Sequence, residues 1–343
     1  MTGTSGTVPG LDLERLGGWM AAHVPGAGSS LQASVIAGGR SNLTYVVTDG
    51  THEWVVRRPP LGHVLATAHD MSREYRVMTA LHDTAVPVPA TYGLCEDTAV
   101  VGAPFYVMER APGTPYRSRT ELEPLGAERV RTISTRLVDT MSALHQVDPA
   151  AVGLADFGKA QGYLGRQVAR WKKQMEASYC RDLPAADELH ARLAADVPAE
   201  SGVGIVHGDF RLDNVLIDEH DQPTAVLDWE MATLGDPLAD LALMLIYHRL
   251  GDLMAGNVVA DASTAPGFLS EVEIIERYGA VTGRDLTHFG FYLGLAAYKL
   301  AAILEGIHYR FLHGQTVGEG FDQIGEAIHP LLAAGLAALR ENS

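Results

Sequence analysis

The sequence predicts an α+β fold in which short antiparallel strands occupy the first third of the chain and helices dominate the rest. Between residues 34 and 109, short apolar runs alternate with turn-forming Gly, Pro and Asn residues, a pattern typical of an antiparallel sheet. From Glu121 onward, apolar residues recur every three or four positions, as in helices that bury one face. A strand, turn and strand pattern at 215–227 interrupts those helices.

Composition limits the class of partner. The chain has 343 residues, enough for one large domain or two smaller ones. Its apolar content of 47% and charged content of 20% are ordinary for a globular protein. The net charge of -16 disfavours nucleic acid or an anionic membrane as a partner, because both are polyanions. The charge would suit a cationic substrate, although an acidic surface more commonly only aids solubility.

The cysteines and the termini favour a reducing cytoplasm. Cys95 and Cys180 are far apart and provide no disulfide scaffold. The N-terminus, MTGTSGTVPGLDLERL, has neither a basic start nor an apolar core, so we expect no secretory signal. The longest apolar run, Phe289 to Leu304, is interrupted by Lys299 and is shorter than the roughly 20 residues of a bilayer span. We expect that run to be a buried helix.

The most informative stretch is IVHGDFRLDNVLIDEHDQPTAVLDWE, residues 205–230. Two apolar runs, 215–217 and 225–227, flank a polar turn-forming cluster, which predicts a β-hairpin. Antiparallel pairing would bring Asn214, before the first strand, near Asp228, after the second. Asp209 lies on the loop that leads to the same end.

Two carboxylates and a carboxamide at one end of a hairpin are the oxygen ligands that Mg²⁺ prefers, with one carboxylate left to act as a base. Phosphoryl transfer needs this set, because its barrier is lowered by positioning and by cations that neutralise phosphate oxygens. The alternative is a polar loop and hairpin in which Asp and Asn only form turns. The order and spacing of His207-Gly208-Asp209, Asn214 and Asp228 favour the catalytic interpretation.

The N-terminal third contains candidate phosphate-binding groups. Residues 34–48 read as a strand, a tight turn and a strand, and Gly38 and Gly39 would allow backbone N–H groups to approach a phosphate. Ser41 and Asn42 would add donors. The alternative is an ordinary Gly-Gly hairpin, and the full G-x-G-x-x-G pattern is absent.

A third strand, 52–58, is followed by a predicted amphipathic helix at 67–82. Glu74 lies on the apolar stripe of that helix, where a charge is costly unless it is paired. Either Glu74 is a solvated residue at the stripe's edge, or it forms an ion pair with Arg57 of the strand. Two more short strands are expected at 91–95 and 99–101, before the strand FYVME at 105–109.

The stretch HGDFRLDN followed by LDWE resembles the catalytic and metal loops of the aminoglycoside phosphotransferase family, which is similar to protein kinases. The resemblance implies a bilobal protein-kinase-like fold, with a five-stranded antiparallel N-terminal lobe at residues 1–113 and a mainly helical C-terminal lobe at 114–343. It also implies that Asp209 is the catalytic base and that Asn214 and Asp228 hold Mg²⁺. Gly208 replaces the arginine of protein kinases, and Trp229-Glu230 replaces their Phe-Gly.

The same resemblance implies a set of ATP-binding residues. Arg57 stands where the family normally has a lysine that contacts phosphates, and Glu74 would pair with it. The inter-lobe hinge matches FYVMERAPG, so the carbonyl of Glu109 and the N–H of Ala111 would bind adenine. The Gly38-Gly39 turn, with Ser41 and Asn42, would cover the phosphates.

Further stretches resemble one branch of the family, the kinase-like domains fused to acyl-CoA dehydrogenases. They are RYGAVTGRDL, FYLGLAAYKLAAILEGIHYR, RFLHGQT and RQVARWKKQ. The branch implies a small-molecule acceptor with a hydroxyl group, such as a hydroxyacyl-CoA or a related hydroxy acid. A helix predicted at 166–178 has four cations, which form either a solvated face or a surface for an anionic substrate. An aminoglycoside antibiotic is the competing acceptor, and the acidic net charge agrees with it.

Two other classes remain open at this stage. A metal-dependent hydrolase could use His207, Asp209 and Asp228, but such a site usually has further histidines close by. A pseudokinase that binds nucleotide without turnover is favoured only by Arg57 in the lysine position. We also expect Asp240 to brace the catalytic loop, and Lys299 to be buried beside a carboxylate.

Overall fold

The computed structural model describes residues 8–36, 42–61, 70–253, 261–316 and 321–341. The chain forms two compact units. The first consists of residues up to 112 together with 224–230, and the second of 113–223 together with 231 onward. The predicted division into domains at residue 113 stays a prediction, because compactness alone does not establish independent folding.

In the described residues, the first unit is an antiparallel sheet with three α-helices. Its elements, in chain order, are α1 (Leu13–His23), β1 (Gln32–Val35), β2 (Leu43–Thr48), β3 (Glu53–Arg58), α2 (Met71–Leu81), β4 (Thr91–Cys95), α3 (Thr98–Val101) and β5 (Phe105–Glu109). The strand order is β1-β2-β3-β5-β4, and every pairing is antiparallel. The predicted five-stranded antiparallel sheet is therefore confirmed.

The core of this unit lies between α1 and the sheet. Leu16 and Met20 of α1 are fully buried, and they belong to one cluster with Tyr45, Val56 and Phe105 of the strands. The side chain of Asp12 accepts a hydrogen bond from the Arg15 N–H and so caps α1. Burial of these side chains fixes which face of the sheet is covered.

The strand predicted at 99–101 is wrong, because this segment is the short helix α3. The side chain of Asp97 accepts a hydrogen bond from the Ala99 N–H, as an N-cap does. Gly102 ends the helix in the left-handed conformation at φ +86°. The two caps outweigh the strand preference of the valines.

The second unit is mainly helical. Its elements, in chain order, are β6 (Thr114–Pro115), α4 (Arg119–Leu122), α5 (Ala127–Gln146), α6 (Tyr163–Glu176), α7 (Pro184–Ala195), β7 (Gly204–Val206), β8 (Val215–Ile217), β9 (Pro223–Val226), β10 (Thr233–Gly235), α8 (Leu238–Leu253), α9 (Glu271–Thr282), α10 (Phe289–Leu312) and α11 (Ile328–Glu341). The last three residues of β9 belong to the first unit. Strand β7 pairs antiparallel with β10, and β6 with β8.

Helix α10 is the central helix of the second unit. It packs against α6, α8 and α11. It is long and apolar enough to cross a bilayer, but 78% of its most apolar window is buried inside the protein. The prediction of a buried core helix is therefore confirmed, with Lys299 as the one cation in its middle turns.

Local structure around the motif follows the predicted strand, turn and strand order. The predicted catalytic loop, residues 207–214, connects β7 to β8 and ends in a single turn of 3₁₀ helix at Leu212–Asn214; it is called the catalytic loop below. The turn between β8 and β9 is closed by the Asp218 N–H, which donates to the Gln222 carbonyl at 3.0 Å. The predicted approach of Asn214 to Asp228 involves residues of different units and stays a prediction.

Candidate active site

In the first unit, Arg57 is the centre of a cluster of charged side chains. Its Nε lies 3.0 Å from Glu74 Oε2, so the predicted ion pair is present. Its Nη2 donates to Asp228 Oδ1 at 2.7 Å and lies 4.0 Å from Glu230 Oε2. Burial alone would lower the pKa of Arg57, but the surrounding negative charges raise it. Arg57 is therefore a permanent cation that three carboxylates face.

Glu74 is 1% exposed, which excludes the solvated alternative. It accepts hydrogen bonds from Asn42 Nδ2 at 3.0 Å and from the Tyr106 hydroxyl at 2.9 Å. Burial raises the pKa of Glu74 to about 7, against the lowering effect of Arg57. Tyr106 and Glu230 are members of the cluster that the sequence did not indicate, because Tyr106 looks like any apolar strand residue.

The raised pKa of Glu74 predicts a pH dependence of stability. Its pKa is about 7 in the folded protein, whereas the ordinary value for a glutamate, which applies to the unfolded chain, is 4.5. Between those pH values the folded protein binds more protons than the unfolded chain, so the free energy of unfolding falls as pH rises through this window. We expect Glu74→Gln to flatten the dependence in urea unfolding followed at several pH values. The exposed Glu276→Gln is the matched control, and an equal slope in wild type and Glu74→Gln would contradict the assignment.

Asp228 follows β9 in a strained backbone conformation. Its φ is +66°, which is uncommon for a residue other than glycine. Such strain persists only where surrounding contacts impose it, and it is frequent at functional sites. One such contact is Trp229, a buried side chain whose Nε1 donates to the Val226 carbonyl at 2.9 Å. The Asp228 side chain is 32% exposed, so it remains accessible to a ligand although Arg57 contacts one oxygen.

In the second unit, the catalytic loop is fixed from behind by Asp240 of α8. The Asp240 carboxylate accepts from the backbone N–H of His207 at 2.6 Å and of Gly208 at 2.8 Å. It also lies 3.3 Å from Nε2 of His145, whose Nδ1 contacts the Tyr278 hydroxyl at 2.8 Å. Burial raises the pKa of Asp240, but these hydrogen bonds lower it overall. The expectation that Asp240 braces the loop is confirmed.

Gly208 has a steric reason to replace the arginine of protein kinases. Its φ is +89°, in the left-handed region. A Cβ at this position would lie 2.8 Å from the Met231 side chain and 2.9 Å from the Met231 carbonyl. Only glycine satisfies both constraints.

Asp209 and Asn214, the two predicted site residues of the loop, are hydrogen-bonded to each other. Asn214 Nδ2 donates to the Asp209 carbonyl at 2.9 Å and to Asp209 Oδ2 at 3.3 Å. Because the nitrogen of this carboxamide is used in this way, its oxygen is the atom left for a cation. Asp209 Oδ1 accepts no hydrogen bond from the described residues. The role of Asp209 as the base stays a prediction.

Arg211 and Tyr247 also contact this part of the loop, although the sequence analysis did not select them. Arg211 Nη2 lies 2.6 Å from Asp213 Oδ2, and Arg211 Nε lies 3.5 Å from Asp209 Oδ1. The guanidinium carbon of Arg211 is 4.4 Å from the centre of the Tyr247 ring. The position of Arg211, two residues after Asp209, could have indicated that it lies near the predicted base. Tyr247 is too distant in sequence for such an inference.

Lys299 lies near the carboxylates of Asp209 and Asp240, as predicted. Its ammonium group donates a hydrogen bond to the Gly208 carbonyl at 2.6 Å. Burial lowers the pKa of Lys299 to about 8, although the charges of Asp209 and Asp240 oppose this. The lysine therefore holds the backbone of the catalytic loop next to Asp209.

Of the remaining predicted nucleotide-binding residues, the structure describes only Glu109 and Ala111. Gly38, Gly39 and Ser41 lie outside the described residues. Glu109 ends β5 opposite Trp54 of β3, and Ala111 follows two residues later. Their predicted contacts with adenine stay predictions.

The described residues contain no cluster of the kind that binds zinc. Within the described ranges, no group of three or more His, Cys, Asp or Glu side chains is arranged to hold a metal. Mg²⁺ that accompanies a nucleotide takes few ligands from protein, usually one or two, and the rest from phosphates and water. The predicted Mg²⁺ ligands, Asn214 and Asp228, belong to different units, so their shared metal site stays a prediction.

Comparison with known proteins identifies relatives across most of the chain. Residues 32–272 match the profile described as Phosphotransferase enzyme family, APH. Acyl-CoA dehydrogenase family member 11 of Rattus norvegicus is 34% identical over 338 residues, 96% of this chain and 43% of that protein. The chain therefore spans less than half the length of this curated relative.

Solved structures give the same fold. The crystal structure of a candidate aminoglycoside phosphotransferase from Ralstonia eutropha has a TM-score of 0.85 and 33% identity, over 96% of this chain and 98% of that one. A ternary complex of aminoglycoside phosphotransferase APH(4)-Ia with AMP-PNP and hygromycin B has a TM-score of 0.61 and 15% identity, over 92% and 95% of the two chains. The second likeness concerns the fold alone.

Proposed function

Because the chain belongs to the phosphotransferase enzyme family APH, we propose that it transfers the γ-phosphate of ATP to a hydroxyl group of a small molecule, with Mg²⁺ as the metal. Kinases of this family use ATP, and the AMP-PNP complex of APH(4)-Ia is an example. The main support is Asp209, which lies on a loop fixed by Asp240 and has one oxygen, Oδ1, without a hydrogen bond from the described residues.

In the proposed reaction the acceptor hydroxyl donates a hydrogen bond to Asp209. The hydroxyl oxygen forms a bond to the γ-phosphorus, the bond from that phosphorus to the bridging oxygen breaks, and ADP leaves. The proton of the hydroxyl passes to Asp209. Most of the barrier is lowered by positioning and charge neutralisation.

Charge neutralisation is assigned to Arg57 and to the metal. Arg57 offers a planar donor group that can bind phosphate oxygens in pairs, as a lysine cannot. Mg²⁺, when bound, neutralises the phosphate oxygens and orients them. Asn214 and Asp228 would supply its protein ligands, and Glu74 would keep Arg57 in place.

The proposed acceptor is a hydroxyacyl-CoA or a related hydroxy acid. The support is the 34% identity to a protein named as an acyl-CoA dehydrogenase family member.

Two alternatives follow from particular observations. An aminoglycoside acceptor is favoured by the net charge of -16 and by the fold shared with APH(4)-Ia. A nucleotide-binding pseudokinase is favoured by Arg57, because its side chain is already engaged by Glu74 and Asp228.

An acceptor screen tests the proposal. The protein is incubated with ATP and Mg²⁺ and with hydroxy acids, hydroxyacyl-CoA thioesters or aminoglycosides, and ADP and the phosphorylated product are measured. We expect acceptor-dependent ADP release with the first two classes. Phosphorylation of aminoglycosides alone would establish the competing acceptor, and nucleotide binding without any product would establish the pseudokinase.

A further inference from the structure

Helix α8 contacts the catalytic loop at two points. Asp240 and Tyr247 are seven residues apart, so they lie on the same face of the helix and about 10 Å apart along its axis. Met244 lies between them on this face and is 1% exposed. Asp240 fixes the start of the loop through the N–H groups of His207 and Gly208. Tyr247 is therefore placed to contact a later part of the loop than Asp240 does.

That later part of the loop is Arg211. Its backbone is extended, with φ -145° and ψ 161°, and its neighbours Phe210 and Leu212 are only 1% and 5% exposed. Successive side chains of an extended backbone point to opposite faces, so the Arg211 side chain is directed away from the two buried ones. Its guanidinium carbon is 4.4 Å from the centre of the Tyr247 ring, within the range of about 6 Å for cation–π attraction.

The same guanidinium group has a carboxylate of the loop on each side in sequence. Arg211 Nη2 lies 2.6 Å from Asp213 Oδ2, and Arg211 Nε lies 3.5 Å from Asp209 Oδ1. The three side chains are 12–22% exposed, so salt and water screen these attractions less than at a free surface. Asp209 Oδ1 accepts no hydrogen bond from the described residues. The guanidinium group therefore orients this oxygen by charge alone.

The Tyr247 hydroxyl lies near the same carboxylate. Burial raises the pKa of this hydroxyl, and the negative charge of Asp209 raises it further. The hydroxyl therefore keeps its proton at neutral pH. Tyr247, Arg211, Asp213 and Met244 also line one small cavity beside the loop. The tyrosine, the arginine and the two carboxylates thus form one connected group.

We propose that Tyr247 is a positioning residue for Asp209: its ring holds the guanidinium group of Arg211, which in turn fixes the orientation of the Asp209 carboxylate. Each oxygen of that carboxylate then has its own neighbour, Asn214 for Oδ2 and Arg211 for Oδ1. The arrangement is a property of the folded chain, whereas its effect on rate rests on the proposed function. A base that is displaced by a fraction of an ångström or turned away loses much of its effect.

The arrangement is tested without nucleotide, by NMR of the arginine Nε–H groups. The Arg211 signal is assigned from Arg211→Gln. We expect this signal to move in Tyr247→Leu, to stay near its wild-type position in Tyr247→Phe, which keeps the ring, and to move in Asp209→Asn, which removes the neighbouring charge. The signal of Arg249, on the same helix and paired with Glu271 at 2.9 Å, should not move. An Arg211 signal that Tyr247→Leu leaves unchanged would overturn the contact.

The effect on rate is measured as ADP release at varied ATP concentration. Tyr247→Leu and Arg211→Gln should each lower kcat about tenfold, the fold-change that corresponds to a partly buried cation–π contact, and leave the KM for ATP unchanged. The double variant should be no slower than Arg211→Gln, because both changes remove the same contact. Tyr247→Phe should recover most of the rate.

Tyr179→Leu is the matched control. The Tyr179 ring also has a cation near it, Lys172 at 6.0 Å, but this lysine pairs with Asp187 of α7, so kcat should stay at the wild-type value. Wild-type kcat in Tyr247→Leu, multiplied losses in the double variant, or equal losses in Tyr247→Leu and Tyr247→Phe would overturn the positioning role. The expected NMR changes without phosphorylation of any acceptor would support the arrangement and refute the proposed function.

Discussion

Asp209→Asn is expected to lower kcat about 10²–10⁴-fold, the usual contribution of a positioned general base. The substitution keeps the shape of the side chain and the hydrogen bond to Asn214 through one oxygen, but it removes the charge that attracts the hydroxyl proton. The loop itself should stay in place, because Asp240 and Lys299 hold its backbone and not the Asp209 side chain. The measurement is ADP release at saturating ATP and acceptor.

Asp218→Asn is the matched control for this variant. Asp218 Oδ1 accepts from the N–H groups of His220 at 2.9 Å and Gln222 at 2.8 Å in the turn after β8. An amide oxygen can accept the same bonds, so the rate should change little. Equal thermal unfolding midpoints for both variants would show that folding is intact. Phosphorylation at the wild-type rate by Asp209→Asn would refute the assignment of the base.

Residues with a strong chemical requirement could be predicted from the sequence. A glutamate on the apolar stripe of α2 needs a cation, and the resemblance to kinases implied Arg57; the two side chains lie 3.0 Å apart. Asp240 was predicted to brace the loop, and it accepts from two N–H groups of that loop. In both cases the cost of an unpaired buried group limited the possible arrangements.

Other features depend on contacts that no local pattern encodes. Tyr106 lies in an apolar strand, and only the packing of α2 on β5 brings its hydroxyl to Glu74. Lys299 was expected beside a carboxylate, but no sequence pattern indicated that its ammonium group donates to the Gly208 carbonyl. For α3, the valines favoured a strand while the caps at Asp97 and Gly102 determined a helix. The misses therefore concern distant partners and, at α3, the type of a short element.

The two units each contain a buried acid that holds functional groups in place. Glu74 is bonded to Arg57, Asn42 and Tyr106 in the first unit, and Asp240 is bonded to the loop and to His145 in the second. The local chemistry differs, because burial raises the pKa of Glu74 while hydrogen bonds lower that of Asp240. As pH falls from neutral, we therefore expect Glu74 to bind a proton at a higher pH than Asp240 does.

Asp240→Ala is expected to cause the largest loss of stability. Asp240 is 1% exposed, and its removal leaves the N–H groups of His207 and Gly208 buried without an acceptor. Each unsatisfied group costs about 1–3 kcal/mol, so the free energy of unfolding should fall by about 2–6 kcal/mol. Because the same bonds position Asp209, kcat should fall as well, even at temperatures where the variant is folded.

Urea unfolding and kcat, measured on the same preparations, test this expectation. Asp139→Ala is the control, because Asp139 pairs with Arg277 at 2.6 Å but its side chain is 40% exposed. A pair of that kind contributes about 0–1 kcal/mol. The loss of unfolding free energy in Asp240→Asn should lie between the losses in Asp240→Ala and Asp139→Ala. Asparagine keeps one acceptor oxygen, but its N–H₂ group faces a backbone N–H donor. A stable Asp240→Ala variant with full activity would mean that the loop is positioned by other contacts, and Lys299 would then be the first candidate.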